Sequence, residues 1–162
     1  MSIVCIVWSS HADALARASA LAGVPGIRVF SSKTFDMGSE DGEKRLAEAL
    51  FAMRSARAVF VYRSTDPVWE RVDEAVREVR DRIPVVCLSY DPSSWALSSA
   101  TPEAVQTCYR YVTYGDEANY AGLLRYMDGL ARGDVSLVPP PEPVPWEGLW
   151  HPDAPVRAFE DH

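Results

Sequence analysis

Several things are missing from this sequence, and each absence removes a class of function. No G-x-G-x-x-G follows the first apolar run, so a classical dinucleotide site is not expected. No G-x-x-x-x-G-K-[ST] is present, which argues against a P-loop ATPase. There is no Ser/His/Asp signature and no nucleophile elbow. Apolar runs fall far short of the roughly 20 residues that a membrane helix needs. Positive charge is scarce: 16 Lys and Arg face 23 Asp and Glu, a net charge of −7. That balance speaks against nucleic acid and against anionic lipid. Cysteine is rare too. Cys5, Cys87 and Cys108 are odd in number and widely spaced, with no disulfide framework and no CxxC metal pair. His151, Asp153 and His162 fit no zinc spacing, so no metal site is expected. The start, Met1-Ser2-Ile3-Val4, has no basic region and leads straight into an apolar run, so no signal peptide is expected. A cytoplasmic protein follows from these readings.

What is present is a series of βα units. Four short apolar stretches, at 3–7, 27–30, 58–62 and 84–88, read as buried parallel strands. Helical spacing follows each. Ala14, Leu15, Ala18, Leu21 and Ala22 mark the first helix, entered past Ser9 or Ser10 as cap. Gly23 to Gly26 turns the chain. A helix from Asp41 to about Ala56 carries Leu46, Ala49, Leu50 and Met53 as its stripe. The next, Val68 to about Arg82, buries Trp69, Val72, Val76 and Val79, and its charged face reads as solvated. Thr101-Pro102-Glu103 is a strong helix start, and a last helix runs from Glu117 to Leu130. The fold class is α/β: a flavodoxin-like or Rossmann-like three-layer sandwich with a short parallel sheet and right-handed crossovers, over residues 1–133. Residues 134–162 change in composition. They read as a proline-rich strap leading toward a following domain.

Function is expected where strands three and four end, because open parallel sheets bind ligands outside their carboxyl edge. The two exits share a signature, YRSTDPVW and YDPSSW. Arg63, Asp66, Tyr90, Asp91 and Trp95 are therefore the candidates for binding a ligand or partner. Arg is suited to hold a carboxylate and Trp to stack on a flat ring. The plainer alternative is structural. Ser64 or Asp66 caps the next helix, Arg63 pairs with Asp66 or Asp91, and Trp95 packs as core. His11, at the end of the first strand, faces a ligand or sits exposed at a helix start. No catalytic residue is assigned.

Five segments occur in a telling order: IVWSS, VFVYRSTDPVWE, VVCLSYDPSSWALSS, CYRYVTYGDEANYAGLLRYM and PVPWEGLWHPD. Together they resemble the amino-terminal region of the cobaltochelatase large subunit (CobN type), a group related to the magnesium chelatase large subunit. The most specific parts are YxxYGDExNxxxLLRY, Tyr111 to Tyr126, and PWEGLWHPD, Pro145 to Asp153. The resemblance implies a tetrapyrrole-binding subunit of a metal-inserting enzyme of cobalamin biosynthesis. That enzyme uses ATP, Mg and Co or another divalent metal, with AAA+ and integrin-like subunits as partners. It implies no cofactor in this chain. The family subunit is far longer than 162 residues, so the chain alone is not expected to be catalytic. From another class, a stand-alone flavodoxin-like module that docks a protein or small ligand also fits.

Overall fold

In the computed structural model, which describes residues 1–144, 149–151 and 154–157, four strands form one parallel sheet. They are β1 (Ile3–Val7), β2 (Ile27–Ser31), β3 (Ala58–Tyr62) and β4 (Val85–Leu88), in the order β2-β1-β3-β4. The sequence-based strands are thus confirmed to within a residue, and all three pairings are parallel. Helices α1 (Ser9–Ala22), α2 (Glu40–Arg54), α3 (Val68–Val79), α4 (Pro102–Tyr114) and α5 (Glu117–Arg132) supply the crossovers and the two outer layers.

Strand alternation explains why the central runs are apolar at every position. Ile3, Cys5, Val7, Ala58, Phe60, Tyr62, Val86 and Leu88 turn to the layer of α1, α4 and α5. Val4, Ile6, Val59, Val61, Val85 and Cys87 turn to the layer of α2 and α3. A strand covered on both faces has no polar side. Cys5 and Cys87 are completely buried, and burial pushes both thiols up to about 12, so they stay protonated. β2 differs: all five of its residues are only half-buried, as befits an edge.

The start of α1 departs from expectation. Neither Ser9 nor Ser10 caps α1. Both already lie inside the first turn, Trp8 occupies the cap position, and the N–H groups of His11 and Ala12 donate to the Trp8 carbonyl. At the other end, Gly23 takes a left-handed φ of 65°, and Arg125 of α5 donates to the carbonyls of Leu21 and Ala22. The charged face of α3 is only partly given over to solvent. Arg71 reaches Glu43, and Glu78 accepts from Arg54, so both pairs tie α3 to α2. Thr101 does cap α4, accepting from Ala104 N–H, with Pro102 at the first helical position.

Beyond α5, the strap at 139–142 lies against the body. The Tyr111 hydroxyl donates to the Pro139 carbonyl, and Asn119 exchanges bonds with Glu142. Strands β5 (Leu149–His151) and β6 (Ala154–Arg157) pair antiparallel in a separate ribbon. The PWEGLWHPD segment lies largely outside the described residues. Among the described residues, no helix is long and apolar enough to cross a membrane.

Candidate functional site

Strand β3 ends where its side chains stop being apolar. Arg63 N–H still donates to the Leu88 carbonyl, and then the chain turns. The Arg63 guanidinium reaches forward to Asp73 of α3 at 2.7 Å. It pairs with neither Asp66 nor Asp91, because Asp73 projects from the buried side of α3 directly beside the strand end. Asp73 is 8% exposed, and its second oxygen, Oδ1, has no hydrogen-bond partner. Burial pushes its carboxyl up, and the Arg63 charge offsets this only in part.

The rest of the loop is closed by a short relay. Trp69, wholly buried, donates its indole N–H to Ser64 Oγ at 2.9 Å, and Ser64 Oγ donates to Asp66 Oδ2 at 2.6 Å. Neither Ser64 nor Asp66 caps α3 with its side chain. Pro67 holds the cap position in helical geometry, and Trp69 N–H bonds the Asp66 carbonyl instead. The capping expectation fails because the helix begins one residue later, with Pro67 at the cap position, while Ser64 Oγ is engaged by Trp69 and Asp66.

The β4 exit is knotted just as tightly. Ser89 Oγ lies 2.6 Å from Ser94 Oγ and accepts from Asp91 N–H at 3.0 Å. Asp91 Oδ1 accepts from Ser93 N–H, which holds this exposed carboxyl below its usual range. A 3₁₀ turn over Pro92–Leu97 then leads along the β4 edge. There Ser98 and Ser99 hydroxyls accept from the N–H groups of Cys87 and Val85, closing that edge.

Between the two loops lies an open cup of about 360 Å³, lined by Arg63, Thr65, Ser89, Tyr90, Asp91 and Ser93 among others. Of the five candidate residues, three line this cup. Asp66 instead lines a crevice of about 420 Å³ with Trp8, Lys33 and Met37. Trp95 packs on Tyr109, ring centres 5.2 Å apart, beside a groove of about 540 Å³ along the start of α4. Its indole N–H is buried without a partner. All five follow the carboxyl ends of β3 and β4, but they are divided among three adjacent depressions.

Sequence reasoning missed an aromatic cluster behind the cup. His11 Nδ1 lies 2.8 Å from the Tyr120 hydroxyl, and its ring sits 4.4 Å from that of Tyr62. Tyr62 in turn meets the exposed Tyr90 edge-on at 6.2 Å. His11 is therefore half-buried, neither an exposed helix start nor a residue turned outward, and burial lowers its pKa. The signal available was weak: Tyr62 ends a strand and His11 and Tyr90 follow strands, but nothing in the sequence joins them to Tyr120, 109 positions from His11.

Chemically, the cup offers hydroxyls, backbone polar groups, a half-buried guanidinium with donors left over from Asp73, and one exposed phenol ring. These suit binding of a polar, partly flat group. No cluster of three or more His, Cys, Asp or Glu able to hold a metal occurs among the described residues.

No protein-family model matches the chain, and no match is found among curated proteins. Among solved structures, it is similar to the catalytic subunit of cobaltochelatase from Mycobacterium tuberculosis, with a TM-score of 0.62 and 18% identity. The match covers 94% of this chain and 12% of that one. At this identity the similarity shows a common fold, and this chain spans only a small part of that subunit's length.

Proposed function

We propose that this chain is an α/β domain of the cobaltochelatase large-subunit kind, contributing to tetrapyrrole handling and not catalytic alone. The observation that carries the reading is the alignment of nearly the whole chain with part of a cobaltochelatase catalytic subunit. The motif resemblance of Tyr111 to Tyr126 adds to it. In this reading the cup takes peripheral carboxylate or amide groups of a tetrapyrrole. Arg63 offers charge-assisted donors, Asp91 accepts from amides, and Tyr90 lies against the ring edge. Trp95 and Asp66 extend the contact. The remainder of a large subunit, together with AAA+ and integrin-like subunits, supplies ATP hydrolysis with Mg, and cobalt or another divalent metal is the substrate to be inserted. The complex works in the cytoplasm.

Titration of the chain with a tetrapyrrole bearing peripheral carboxylates, followed by quenching of tryptophan fluorescence, tests this. Saturable binding is expected, weakened at least about tenfold by Tyr90→Ala, since a stacked or edge-on aromatic contact and its buried area are lost. Tyr90 is 79% exposed, so its removal leaves the fold intact. Absence of saturable binding, or equal binding by the variant, overturns the reading.

A further inference from the structure

The two edges of the sheet are treated differently. The β4 edge is covered by the Ser98 and Ser99 hydroxyls and by backbone bonds from Ser99 and Ala100 to the Val85 carbonyl. The β2 edge is open. Ile3 N–H donates to the Gly26 carbonyl at 2.9 Å, which sets the alternation of a parallel pair. Even-numbered residues of β2 bond inward to β1, and Ile27, Val29 and Ser31 turn their N–H and C=O groups outward. Among the described residues nothing bonds the outward groups of Ile27 and Val29, and Ser31 C=O receives only the Thr34 hydroxyl. β2 has no proline, no lysine and no bulge over its five residues, and its one charge, Arg28, is drawn to Glu48 of α2 at 2.6 Å.

A groove of about 410 Å³ runs along this edge. Val29, Phe30 and Ser31 form its floor, Ala12 and Ala16 of α1 one wall, and Arg45 and Glu48 of α2 the other. On α1 the same side continues to Ala20, one turn beyond Ala16. Ala16, Ala20 and Leu21 are all exposed, Leu21 by 52%. Asp13 and Arg17 are the only charged residues of this helix.

We propose that this face is a self-association surface on which a second copy of the chain adds its own β2 antiparallel. The pattern is self-complementary about a two-fold axis through Val29, as an isologous contact requires. Val29 exchanges both backbone bonds with Val29 of the second copy, and Ile27 exchanges both with Ser31 of the second copy. Every outward group of the edge is then used. The same axis sets Arg28, already held 5.0 Å from the centre of its own Phe30 ring, opposite Phe30 of the second copy. In the layer above, the two α1 helices run antiparallel with Ala12, Ala16 and Ala20 between them. Side chains that small allow the close approach that neighbouring strands impose. Asp13 of each copy comes within a turn of Arg17 of the other, so the charges match across the axis. An unrelated extended peptide would satisfy the strand groups but would leave the alanine wall and the Asp13–Arg17 pattern unmatched. The inference is independent of any tetrapyrrole binding.

Sedimentation equilibrium of the full chain, from low micromolar to the highest soluble concentration, tests it with two variants. Val29→Pro removes an outward N–H and leaves the β1 ladder whole. Ala16→Arg places a bulky charge on an exposed helix position that tolerates it. Circular dichroism establishes that both are folded. The expected result is a reversible monomer–dimer equilibrium in the parent chain and at least about tenfold weaker association in each variant. A parent chain that stays monomeric throughout, or a dimer equally strong in both folded variants, overturns the proposal.

Discussion

Asn119 and Glu142 exchange two hydrogen bonds: Asn119 Nδ2 donates to the Glu142 carbonyl at 2.9 Å, and Glu142 N–H donates to Asn119 Oδ1 at 3.0 Å. A side-chain amide here stands in for a neighbouring strand and reads one residue of extended backbone. Asn119 is itself positioned by Asp116, whose Oδ1 accepts from both its backbone and side-chain N–H groups. The strap beyond α5 is thereby held on the α/β body at a fixed place. Replacing Asn119 by Leu should release residues 139–144, with faster hydrogen exchange and proteolysis there. The stability cost should be about 1–3 kcal/mol, from stranding buried polar groups. Unchanged strap protection would show that the Tyr111 contact alone suffices.

Arg63 and Asp73 form a nearly enclosed pair, with side chains 23% and 11% exposed. Arg63→Ala leaves a buried carboxylate without its counter-charge, and a loss of about 3–5 kcal/mol is expected by chemical denaturation. The double variant Arg63→Ala, Asp73→Ala should recover part of that loss. If the single and double variants are equally unstable, the pair is not what Arg63 contributes.

Gly42 sits in the first turn of α2, where alanine usually stabilises a helix by about 0.5–1 kcal/mol. The opposite is expected here. A Cβ would stand 2.5 Å from the Asp36 nitrogen and closer still to its oxygen, and backbone cannot swing aside as a side chain can. Gly42→Ala should lower stability by at least about 1–3 kcal/mol, the range for overpacking, and displace the Asp36–Ser39 turn. A gain in Tm would refute this.

His11 carries a pH dependence whose sign follows from its burial. Its pKa in the folded chain lies below the ordinary 6.5, so above 6.5 both states hold a neutral imidazole and the stability is fully present. As pH falls through and below 6.5 the unfolded chain takes up the proton first, and stability is lost. His11→Gln, which keeps a partner for Tyr120, should flatten denaturation midpoints measured between pH 7 and pH 5. A slope unchanged in the variant would assign the effect elsewhere.

Neither ATP hydrolysis nor metal insertion is expected of the purified chain. The sequence has no P-loop, and the chain corresponds to a small part of the subunit it is similar to. ATP turnover that scales with the chain's concentration and survives repurification would contradict the proposed function.

By itself the sequence determined the strands, the helices and the parallel order of connection. Runs such as Val59–Tyr62 are apolar at every position, which only a sheet covered on both faces requires, and Thr101-Pro102 marks a helix start through local geometry alone. These are properties of short stretches, and short stretches are legible. It also placed Arg63, Tyr90 and Asp91 at the carboxyl edge, because parallel strands send all their ends one way. Tertiary structure decided the partners. Arg63 took Asp73, ten residues on, rather than the nearer Asp66, because the helix carries Asp73 back to the strand end. Ser64 served the Trp69 indole instead of a helix end. His11 of α1 met Tyr120 of α5, and Trp95 and Asp66 fell into depressions separate from the cup. Side-chain pairing depends on distances between elements far apart in the chain, and no local pattern of residues encodes those distances.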